Sequence, residues 1–462
     1  MGHLYISAAH KSSGKTTLSI GLCAALRESG AVVQPFKKGP DYIDPLWLGQ
    51  AAGRACYNLD FYTMDRDEIG ELFASKLQGA DIGLIEGNKG LYDGLALDGS
   101  NSNAALAAQL DSPIVMVLDS QGMTRGVAPL ILGYQAFDPA IRIVGVVLNK
   151  VGGSRHEAKL RAVIEHYTDV KVLGAVQRCE ELVIDERHLG LVPSNEIGSS
   201  QRHIRQMGRL VREQVDLDVL QSLTGPSPTV VPENPEPVGT ITGVTDRVRI
   251  AVACDSAFGF YYAGDLDALR AAGAELVPFS PLQDAELPVC DGLFLGGGFP
   301  ETHMEQLERN AAMRASVAAF IESDRPAYAE CGGLMYLCSG LTWEGKRRKM
   351  AGVIPAEVVM HPKPQGRGYV RLRTTGAHPW CGGLEAERVV SAHEFHYSAL
   401  TAVPDGLEFA YRVERGYGLD GANDGIVYRN LLASYAHLRD TRAHPWAKRF
   451  VSFVRDCRDK AA

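Results

Sequence analysis

The sequence has no long hydrophobic run, no excess of basic residues and no closely spaced pair of cysteines. No segment approaches the ~18 apolar residues of a membrane span and no secretory pattern opens the chain, so we expect a cytoplasmic protein without a membrane partner. A net charge of −8 argues against a nucleic-acid partner, which would need a basic surface. The nine cysteines form no CxxC pair, which argues against a zinc ribbon or a disulfide scaffold and favours reduced thiols.

The order of apolar and polar segments predicts two α/β domains. Apolar residues make up 45% of the 462 residues, which is enough for more than one buried core. Residues 223–246 carry five prolines and almost no periodic apolar pattern, which predicts a linker between domains at 1–222 and 247–462. Short apolar runs alternate with helical segments on both sides of it, as is typical of parallel strands covered by crossover helices. The clearest runs lie at 82–85, 114–118, 143–148, 248–253, 274–277, 292–295 and 327–328.

The segment LYISAAHKSSGKTT at residues 4–17 predicts a phosphate-binding loop between a buried strand and a helix. Lys15 would reach the β- and γ-phosphates of ATP, and Thr16 would hold Mg²⁺. Ala9 replaces the first glycine of the strict pattern, but its side chain is small enough for the turn. The alternative, an ordinary strand, turn and capped helix, is disfavoured by GKTT in this context. We therefore predict that ATP contacts Ser13, Gly14, Lys15, Thr16 and Thr17.

A carboxylate and a glycine-rich segment follow the apolar run at 82–85. Glu86 emerges at the carboxyl end of that strand, where it would suit Mg²⁺; a loop-facing acid without a metal is the alternative. The segment GNKGLYDG at 87–94 would form a flexible rim near the nucleotide and could close over a substrate.

A charged turn, FKKGPDYIDP at 36–45, is made rigid by one glycine and two prolines. Its lysines could pair with phosphate or with a substrate carboxylate, and its aspartates with a metal or a reacting group. A plain surface turn is the alternative. We assign cofactor contacts to Lys37, Lys38, Asp41 and Asp44, with their individual roles open, and metal contacts to Thr16, Glu86 and Asp44.

Cys331 lies in AYAECGG, an apolar strand end followed by small residues and a helix that we expect to begin near Leu334. This pattern resembles a nucleophile elbow, and the helix dipole there favours the thiolate. Ala329 stands where glycine is usual, so the turn has slightly less conformational freedom. Upstream, LGGGFP closes another strand with exposed backbone amides that could stabilise an oxyanion. The predicted oxyanion donors are Gly297, Gly298 and Gly332.

The nucleophile needs a base, and His437 is the candidate, since a late strand could return it to Cys331. By pattern alone any of the 13 histidines is more often structural. His393 and His396 form a competing pair with metal-like spacing. If their segment is a strand, residues three apart face opposite sides, which disfavours a shared metal.

The motifs together resemble the cobyrinic acid a,c-diamide synthases, glutamine-dependent amidases of modified tetrapyrroles, over nearly the whole chain. The motifs that carry the resemblance are SSGKTT, FKKGPDYIDP, EGNKGLYDG, GMTRG, DSAFGFYY, GAELVPFSPL, LGGGFPE, ECGG and HEFHYS. The resemblance implies an ATP-dependent ligase domain, similar in fold to dethiobiotin synthetase, and a class I type glutaminase domain. It implies Cys331 as the glutaminase nucleophile and His437 as its partner.

Two departures from related patterns bear on these expectations. Many class I glutaminases place Glu two residues after the histidine, whereas Arg439 stands here and Asp440 follows, so we predict a Cys–His dyad rather than a conventional triad. Asn88 and Lys89 replace the apolar residues expected after EG in most cobyrinate enzymes. A sirohaem or sirohydrochlorin amide synthase is therefore an open variant.

We expect glutamine to supply ammonia and ATP to activate a peripheral carboxylate of the tetrapyrrole. Rival interpretations are a ParA/MinD-like ATPase switch, a ligase with a purely structural C-terminal domain, and a cobyric acid synthase. The acidic balance and the ECGG segment argue against the switch. The FKKGPDYIDP turn is the main argument against cobyric acid synthase. A homodimer is possible on this evidence.

Overall fold

The structure is a computed structural model that describes residues 2–178, 184, 186–187, 190–226, 247–380, 387–401, 403 and 406–461. The chain forms two compact units, Met1–Asn234 and Pro235–Ala462. Their division falls inside the predicted linker at 223–246, of which residues 227–246 lie outside the described residues, so the linker stays a prediction. Among the helices that the structure describes, none is long and apolar enough to cross a membrane.

The first unit alternates strands and helices along the chain. Its strands are β1 (Gly2–Ala8), β2 (Val33–Lys38), β3 (Tyr57–Leu59), β4 (Ile82–Glu86), β5 (Ile114–Asp119), β6 (Ile143–Val151), β7 (Lys171–Gln177), β8 (Glu186–Arg187), β9 (Gly190–Leu191) and β10 (Gly225–Pro226). Its helices are α1 (Lys15–Glu28), α2 (Ile43–Ala52), α3 (Arg66–Leu77), α4 (Asn103–Gln109), α5 (Val127–Phe137), α6 (Ser154–Tyr167), α7 (Ser200–Gln214) and α8 (Leu217–Ser222).

The central sheet of this unit has the order β3-β2-β4-β1-β5-β6-β7, and all these pairings are parallel. Only β10 adds to β1 in the antiparallel direction. The inner strands are buried along their whole length, because helices cover both faces. The loops that follow β1, β2 and β4 therefore leave the same edge of the sheet, which brings the phosphate loop, the charged turn and Glu86 together.

The second unit contains most of the antiparallel structure. Its strands are β11 (Val248–Ala253), β12 (Phe258–Phe260), β13 (Ala274–Phe279), β14 (Gly292–Leu295), β15 (Gly297–Gly298), β16 (Ala327–Glu330), β17 (Cys338–Trp343), β18 (Lys346–Lys349), β19 (Ile354–Met360), β20 (Gly366–Thr374), β21 (Val389–His396), β22 (Ser398–Thr401), β23 (Glu408–Arg415), β24 (Asn423–Tyr428) and β25 (Leu431–Ser434). Its helices are α9 (Ala263–Ala271), α10 (Met304–Arg309), α11 (Ala311–Glu322), α12 (Gly332–Leu337) and α13 (Trp446–Ala461), with a 3₁₀ turn at Pro300–His303.

Its main sheet has the order β13-β11-β14-β16-β25-β24-β23-β20-β21. Strands β13 to β25 of this order are parallel, and the rest continue the sheet as antiparallel neighbours. A second sheet, β18-β17-β19-β22, packs through the same hydrophobic core. Because β16 and β25 are neighbours, the ends of these strands carry Cys331 and the segment leading to His437 to one place.

The fold class predicted from the sequence is confirmed, and local details differ at two places. Strands β11 and β14 match the predicted runs at 248–253 and 292–295. The helix after Cys331 begins at Gly332 rather than near Leu334. The basic run at 346–349, which resembles a solvated loop in sequence, forms strand β18, because it pairs with β17 and its arginines meet acidic side chains.

Candidate active site

The predicted phosphate loop turns at Gly14, directly before α1. Gly14 has a φ of 87°, a left-handed conformation that favours glycine. A Cβ atom at this position would lie 2.0 Å from Nδ2 of Asn149. That same amide donates a hydrogen bond to the carbonyl oxygen of Ser13 at 2.8 Å. The loop therefore requires glycine both for its backbone angle and for the close approach of Asn149.

Lys15 is held at the head of this loop by carbonyl groups. Its ammonium donates to the carbonyl oxygen of Lys89 at 2.5 Å and to that of His10 at 3.5 Å. Burial lowers the pKa of Lys15, and the negative charge of Glu86 opposes that shift. Thr17 and Gly14 line an apolar pocket beside the loop, together with Val117, Val147 and Val211. Of the loop residues predicted to contact ATP, Gly14 and Thr17 line this pocket.

The three predicted metal contacts meet at the carboxyl edge of the sheet. The Thr16 hydroxyl donates to Oε1 of Glu86 at 2.7 Å and lies 3.4 Å from Oδ2 of Asp44. Glu86 is fully buried, and its Oε2 has no hydrogen-bond partner. Burial raises the pKa of Glu86, and the ammonium of Lys37 opposes the rise. An unpaired buried oxygen next to a hydroxyl suits a hard cation such as Mg²⁺.

Lys37 neutralises this acidic cluster. Its Nζ lies 2.5 Å from Oδ2 of Asp44 and 2.9 Å from Oε1 of Glu86, with Asp41 at 3.9 Å. Burial alone would lower the pKa of Lys37, but these carboxylates raise it above its ordinary value. Within the described residues, no group of three or more His, Cys, Asp or Glu side chains forms a metal site by itself. A metal here would therefore depend on Thr16 and on phosphate oxygens as further ligands.

The other two charged residues of the turn occupy different environments. Oδ1 of Asp41 accepts the backbone N–H groups of Ile43 and Asp44 at 3.0 Å each and so caps the start of α2. Burial and the charge of Asp44 raise the pKa of Asp41 to about 7, and Lys37 opposes them. Lys38 is buried but makes no ion pair with this cluster.

In the second unit, Cys331 stands on a strained turn between β16 and α12. Its φ of 45° and ψ of −101° lie in a region that a side chain rarely adopts, at a cost of about 1–3 kcal/mol. The turn is held by a hydrogen bond from the Cys331 N–H to the carbonyl oxygen of Ser434 at 2.7 Å. Only 5% of the residue is exposed. The elbow predicted from the sequence is therefore present, and its strain presents the thiol at the strand end.

His437 interacts electrostatically with the thiol of Cys331, and its Nδ1 is hydrogen bonded to Oε2 of Glu330 at 3.2 Å. Oε1 of Glu330 accepts the N–H of Leu438 at 2.9 Å and the hydroxyl of Tyr328 at 2.5 Å. Burial would lower the pKa of His437, but its contacts with Cys331 and Glu330 raise it to about 10. The side chains thus form a chain from thiol to imidazole to carboxylate.

This carboxylate adds a third side chain beside the predicted Cys–His dyad, which stays a prediction. The sequence argument looked for an acid after His437. There, Nε of Arg439 lies 3.8 Å from Oδ1 of Asp265, and the backbone N–H of Asp440 donates to the same oxygen at 3.0 Å. Glu330 comes from the residue before the nucleophile, so no spacing along the chain from the histidine could reveal it. The sequence feature that could have indicated Glu330 is a glutamate at the end of an apolar strand, as in AYAE, because a charged residue in a buried strand needs a partner.

The predicted oxyanion glycines converge on the same point. A Cβ on Gly332 would lie 2.9 Å from the backbone N of Gly298, and one on Gly297 would lie 2.6 Å from Cε1 of His437. A Cβ on Gly298 would come within 2.0 Å of the carbonyl oxygen of Ala257. The three glycines therefore allow the backbone and the imidazole to approach one another more closely than any larger residue would permit.

The competing histidines lie on strand β21, where burial alternates along the chain, so His393 and His396 face opposite sides. The backbone of His393 pairs with that of His437, and the two N–H···O distances are 3.2 and 2.7 Å. Burial lowers the pKa of His393 to about 3, and the charge of His437 adds to this shift. His396 stacks on Tyr435 with a centroid distance of 3.8 Å. These side chains support the core next to His437 rather than sharing one ligand.

Comparison with known proteins covers both units. Residues 6–192 match the CobQ/CobB/MinD/ParA nucleotide binding domain, and residues 249–443 match the CobB/CobQ-like glutamine amidotransferase domain. A glutamine amidotransferase structure from Thermotoga maritima covers 47% of this chain and 86% of its own, with 14% identity and a TM-score of 0.31.

Two curated relatives extend over almost the full chain. The cobyrinate a,c-diamide synthase of Magnetococcus marinus is 47% identical over 98% of this chain and 97% of its own length. The protein of the same name from Methanosarcina acetivorans is 39% identical over 94% of this chain and 91% of its own. The chain therefore belongs to the cobyrinate a,c-diamide synthase family of carbon–nitrogen ligases with glutamine as nitrogen donor, and it joins a P-loop nucleotide-binding domain to a glutamine amidotransferase-like domain.

Proposed function

We propose that this protein converts peripheral carboxylates of a modified tetrapyrrole, cobyrinate in the first place, into amides with ATP and glutamine. The observation that carries the proposal is the chain from Cys331 through His437 to Glu330 in a protein that also has a built phosphate loop. Relatives named for the a,c-diamide of cobyrinate support the choice of ring and two amidations.

In the glutaminase half, the thiolate of Cys331 attacks the side-chain amide carbon of glutamine. The backbone amides of Gly297, Gly298 and Gly332 are the groups that would stabilise the oxyanion. His437 passes its proton to the leaving nitrogen, so ammonia departs and a thioester remains. Water then hydrolyses the thioester to glutamate and regenerates the thiol. Glu330 holds the imidazole in the tautomer that can do this and stabilises its charged form.

In the ligase half, a carboxylate of the ring attacks the γ-phosphate of ATP to form an acyl phosphate and ADP. Activation is needed because a carboxylate is a poor electrophile at neutral pH. Lys15 contacts the phosphates, and Lys37 orients the phosphate and carboxylate groups beside Asp44. Thr16, Glu86 and Asp44 would hold Mg²⁺, which supplies positive charge to the phosphates. Ammonia then attacks the acyl carbon, and inorganic phosphate leaves.

The test separates the two reactions. We expect Cys331→Ser to abolish amidation with glutamine and glutamate release, while amidation with ammonium salts continues at close to the wild-type rate. An equal loss of amidation with glutamine and with ammonium salts would contradict the proposal. The matched control is Cys254→Ser, which changes an exposed thiol in the same unit and leaves both reactions intact.

The ring is identified by product mass. Wild-type protein is incubated with ATP, glutamine and, in separate reactions, cobyrinate, hydrogenobyrinate or sirohydrochlorin. Each amidation replaces OH by NH₂ and lowers the mass by about one unit, a consequence of covalent composition. We expect two such steps on cobyrinate; product from sirohydrochlorin alone would assign the protein to the sirohaem variant.

A further inference from the structure

Lys38 is a buried cation that forms no ion pair with the residues that the structure describes. It is the last residue of β2 and exposes 7% of its surface. Across the part of the chain that the structure describes, no hydrogen bond or ion pair reaches its ammonium, and the Nζ atom keeps contact with solvent. A buried ammonium in this state has lost most of its hydration without gaining a partner. This is the environment of a group that binds an anion from outside the protein.

The nearest acid does not neutralise it. Oδ1 of Asp60 accepts the N–H of Tyr62 at 3.2 Å, and Oδ2 accepts the hydroxyl of Thr63 at 3.2 Å, so this carboxylate is engaged by its own turn. Burial lowers the pKa of Lys38 to about 8; Asp60 opposes the shift, whereas Lys89 and Lys37 strengthen it. Two lysines and one aspartate therefore act on the ammonium of Lys38, and none of them forms an ion pair with it.

The position of Lys38 relates it to the ligase centre. Lys37 pairs in register with Glu86 on β4, so Lys38 stands one residue further toward the carboxyl edge of the sheet. Lys89 lies three residues after Glu86, has a φ of 44°, and accepts the ammonium of Lys15 on its carbonyl oxygen. Lys38 and Lys89 thus lie at the border of the phosphate loop.

The turn that carries Lys38 is rigid. Nδ2 of Asn58 donates to the carbonyl oxygens of Gly39 and Asp41, at 2.8 Å each. Gly39 has a φ of 83°, and its N–H bonds to the carbonyl oxygen of Leu59 at 2.9 Å. The backbone that carries Lys38 is therefore fixed before any ligand arrives, which reduces the entropy lost on binding.

We propose that Lys38, assisted by Lys89 at the rim, binds a carboxylate of the tetrapyrrole other than the one being amidated. This rests on the proposed function. A ring with several peripheral carboxylates keeps the others ionised while one is activated, and an anchored neighbour decides which one reaches the phosphate loop. Lys38 is then a specificity-determining residue, and Lys89 adds a second positive charge at the rim.

The kinetic test uses Lys38→Gln, Lys38→Arg and, as a matched loss of an exposed charge, Lys159→Gln on α6. We expect Lys38→Gln to raise KM for cobyrinate by about 10–100-fold, the range of a charge-assisted hydrogen bond. KM for ATP and glutamate release stay at wild-type values, and Lys38→Arg recovers most of the loss. Lys89→Gln, at an exposed position, should raise the same KM by about 2–5-fold.

A second measurement does not depend on turnover. Cobyrinate is titrated into each variant without ATP, and binding is followed by its visible absorbance. Weaker binding by Lys38→Gln with Lys159→Gln unchanged supports the proposal. Equal binding, or a raised KM for ATP instead of cobyrinate, overturns it and gives Lys38 to a phosphate. If the wild-type protein makes no amide from any of the rings, the proposed function is wrong. If the wild-type protein makes the amide and Lys38→Gln binds cobyrinate equally well, only the proposed role of Lys38 is wrong.

Discussion

Replacing Glu330 by glutamine removes one negative charge from the nucleophile's hydrogen-bond chain and keeps the shape of the side chain. Oε1 of Glu330 accepts two donors, the Leu438 N–H at 2.9 Å and the Tyr328 hydroxyl at 2.5 Å. The carbonyl oxygen of a glutamine would take that place, so its NH₂ group would face Nδ1 of His437. The imidazole would then need its proton on Nε2, where it cannot accept the proton of Cys331.

The magnitude follows from the contact that changes, between Nδ1 of His437 and Oε2 of Glu330. Loss of a hydrogen bond to a charged partner costs about 1.5–3 kcal/mol, which is about 10–150-fold in rate. The wrong tautomer of His437 adds to this cost. We therefore expect kcat/KM for glutamine hydrolysis to fall by about 100-fold or more in Glu330→Gln, with ammonium-driven amidation unchanged.

The pH profile gives an independent reading. Burial opposes protonation of His437, while Cys331 and Glu330 raise its pKa to about 10. Because Glu330 contributes negative charge, its removal lowers the pKa of His437. The alkaline limb of glutaminase activity, where the imidazolium is lost, should move to lower pH. Glutamate release measured from neutral pH upward reports both the rate and this limb.

Two results would refute the reasoning. Unchanged kcat/KM and an unchanged alkaline limb in Glu330→Gln would mean that the protein works as a Cys–His dyad. A fall in ammonium-driven amidation to the same extent would indicate general damage. Glu286→Gln, an exposed charge loss in the same unit, serves as the control and should behave as wild type.

Further predictions concern stability. Lys37→Met leaves Asp44 and Glu86 without their cation, so the free energy of unfolding of the first unit should fall by about 3 kcal/mol in denaturant titrations. Adding Glu86→Gln to this variant should recover part of the lost stability. An unchanged denaturation midpoint in Lys37→Met would contradict the prediction. Burial lowers the pKa of both His378 and His444 from 6.5 to about 3. The unfolded chain therefore binds protons more readily than the folded one, and the stability present above pH 6.5 is lost as pH falls toward 3. The Tm should drop over this window, and it should drop less steeply in His444→Gln. Parallel Tm curves for the variant and the wild type would contradict the role given to His444.

The sequence by itself determined the features that depend on neighbouring residues along the chain. GKTT after an apolar run specifies a strand, a loop and a helix, and small residues around Cys331 allow a sharp turn, because both depend on local backbone angles and on space next to the backbone. It also determined the fold class, since apolar runs alternating with helical segments can be buried only between crossover helices. The roles of Cys331, His437 and the phosphate-loop residues stay predictions, although the structure brings them together as expected.

Only the tertiary structure decided which charges meet. Lys37 and Lys38 are equivalent in sequence, yet Lys37 forms ion pairs with Glu86 and Asp44, whereas Lys38 forms none with the described residues, because successive residues of a strand point to opposite faces. Glu330 reaches His437 from 107 residues away because β16 and β25 are neighbours in the sheet. Long-range pairing of this kind depends on packing, which spacing along the chain does not encode.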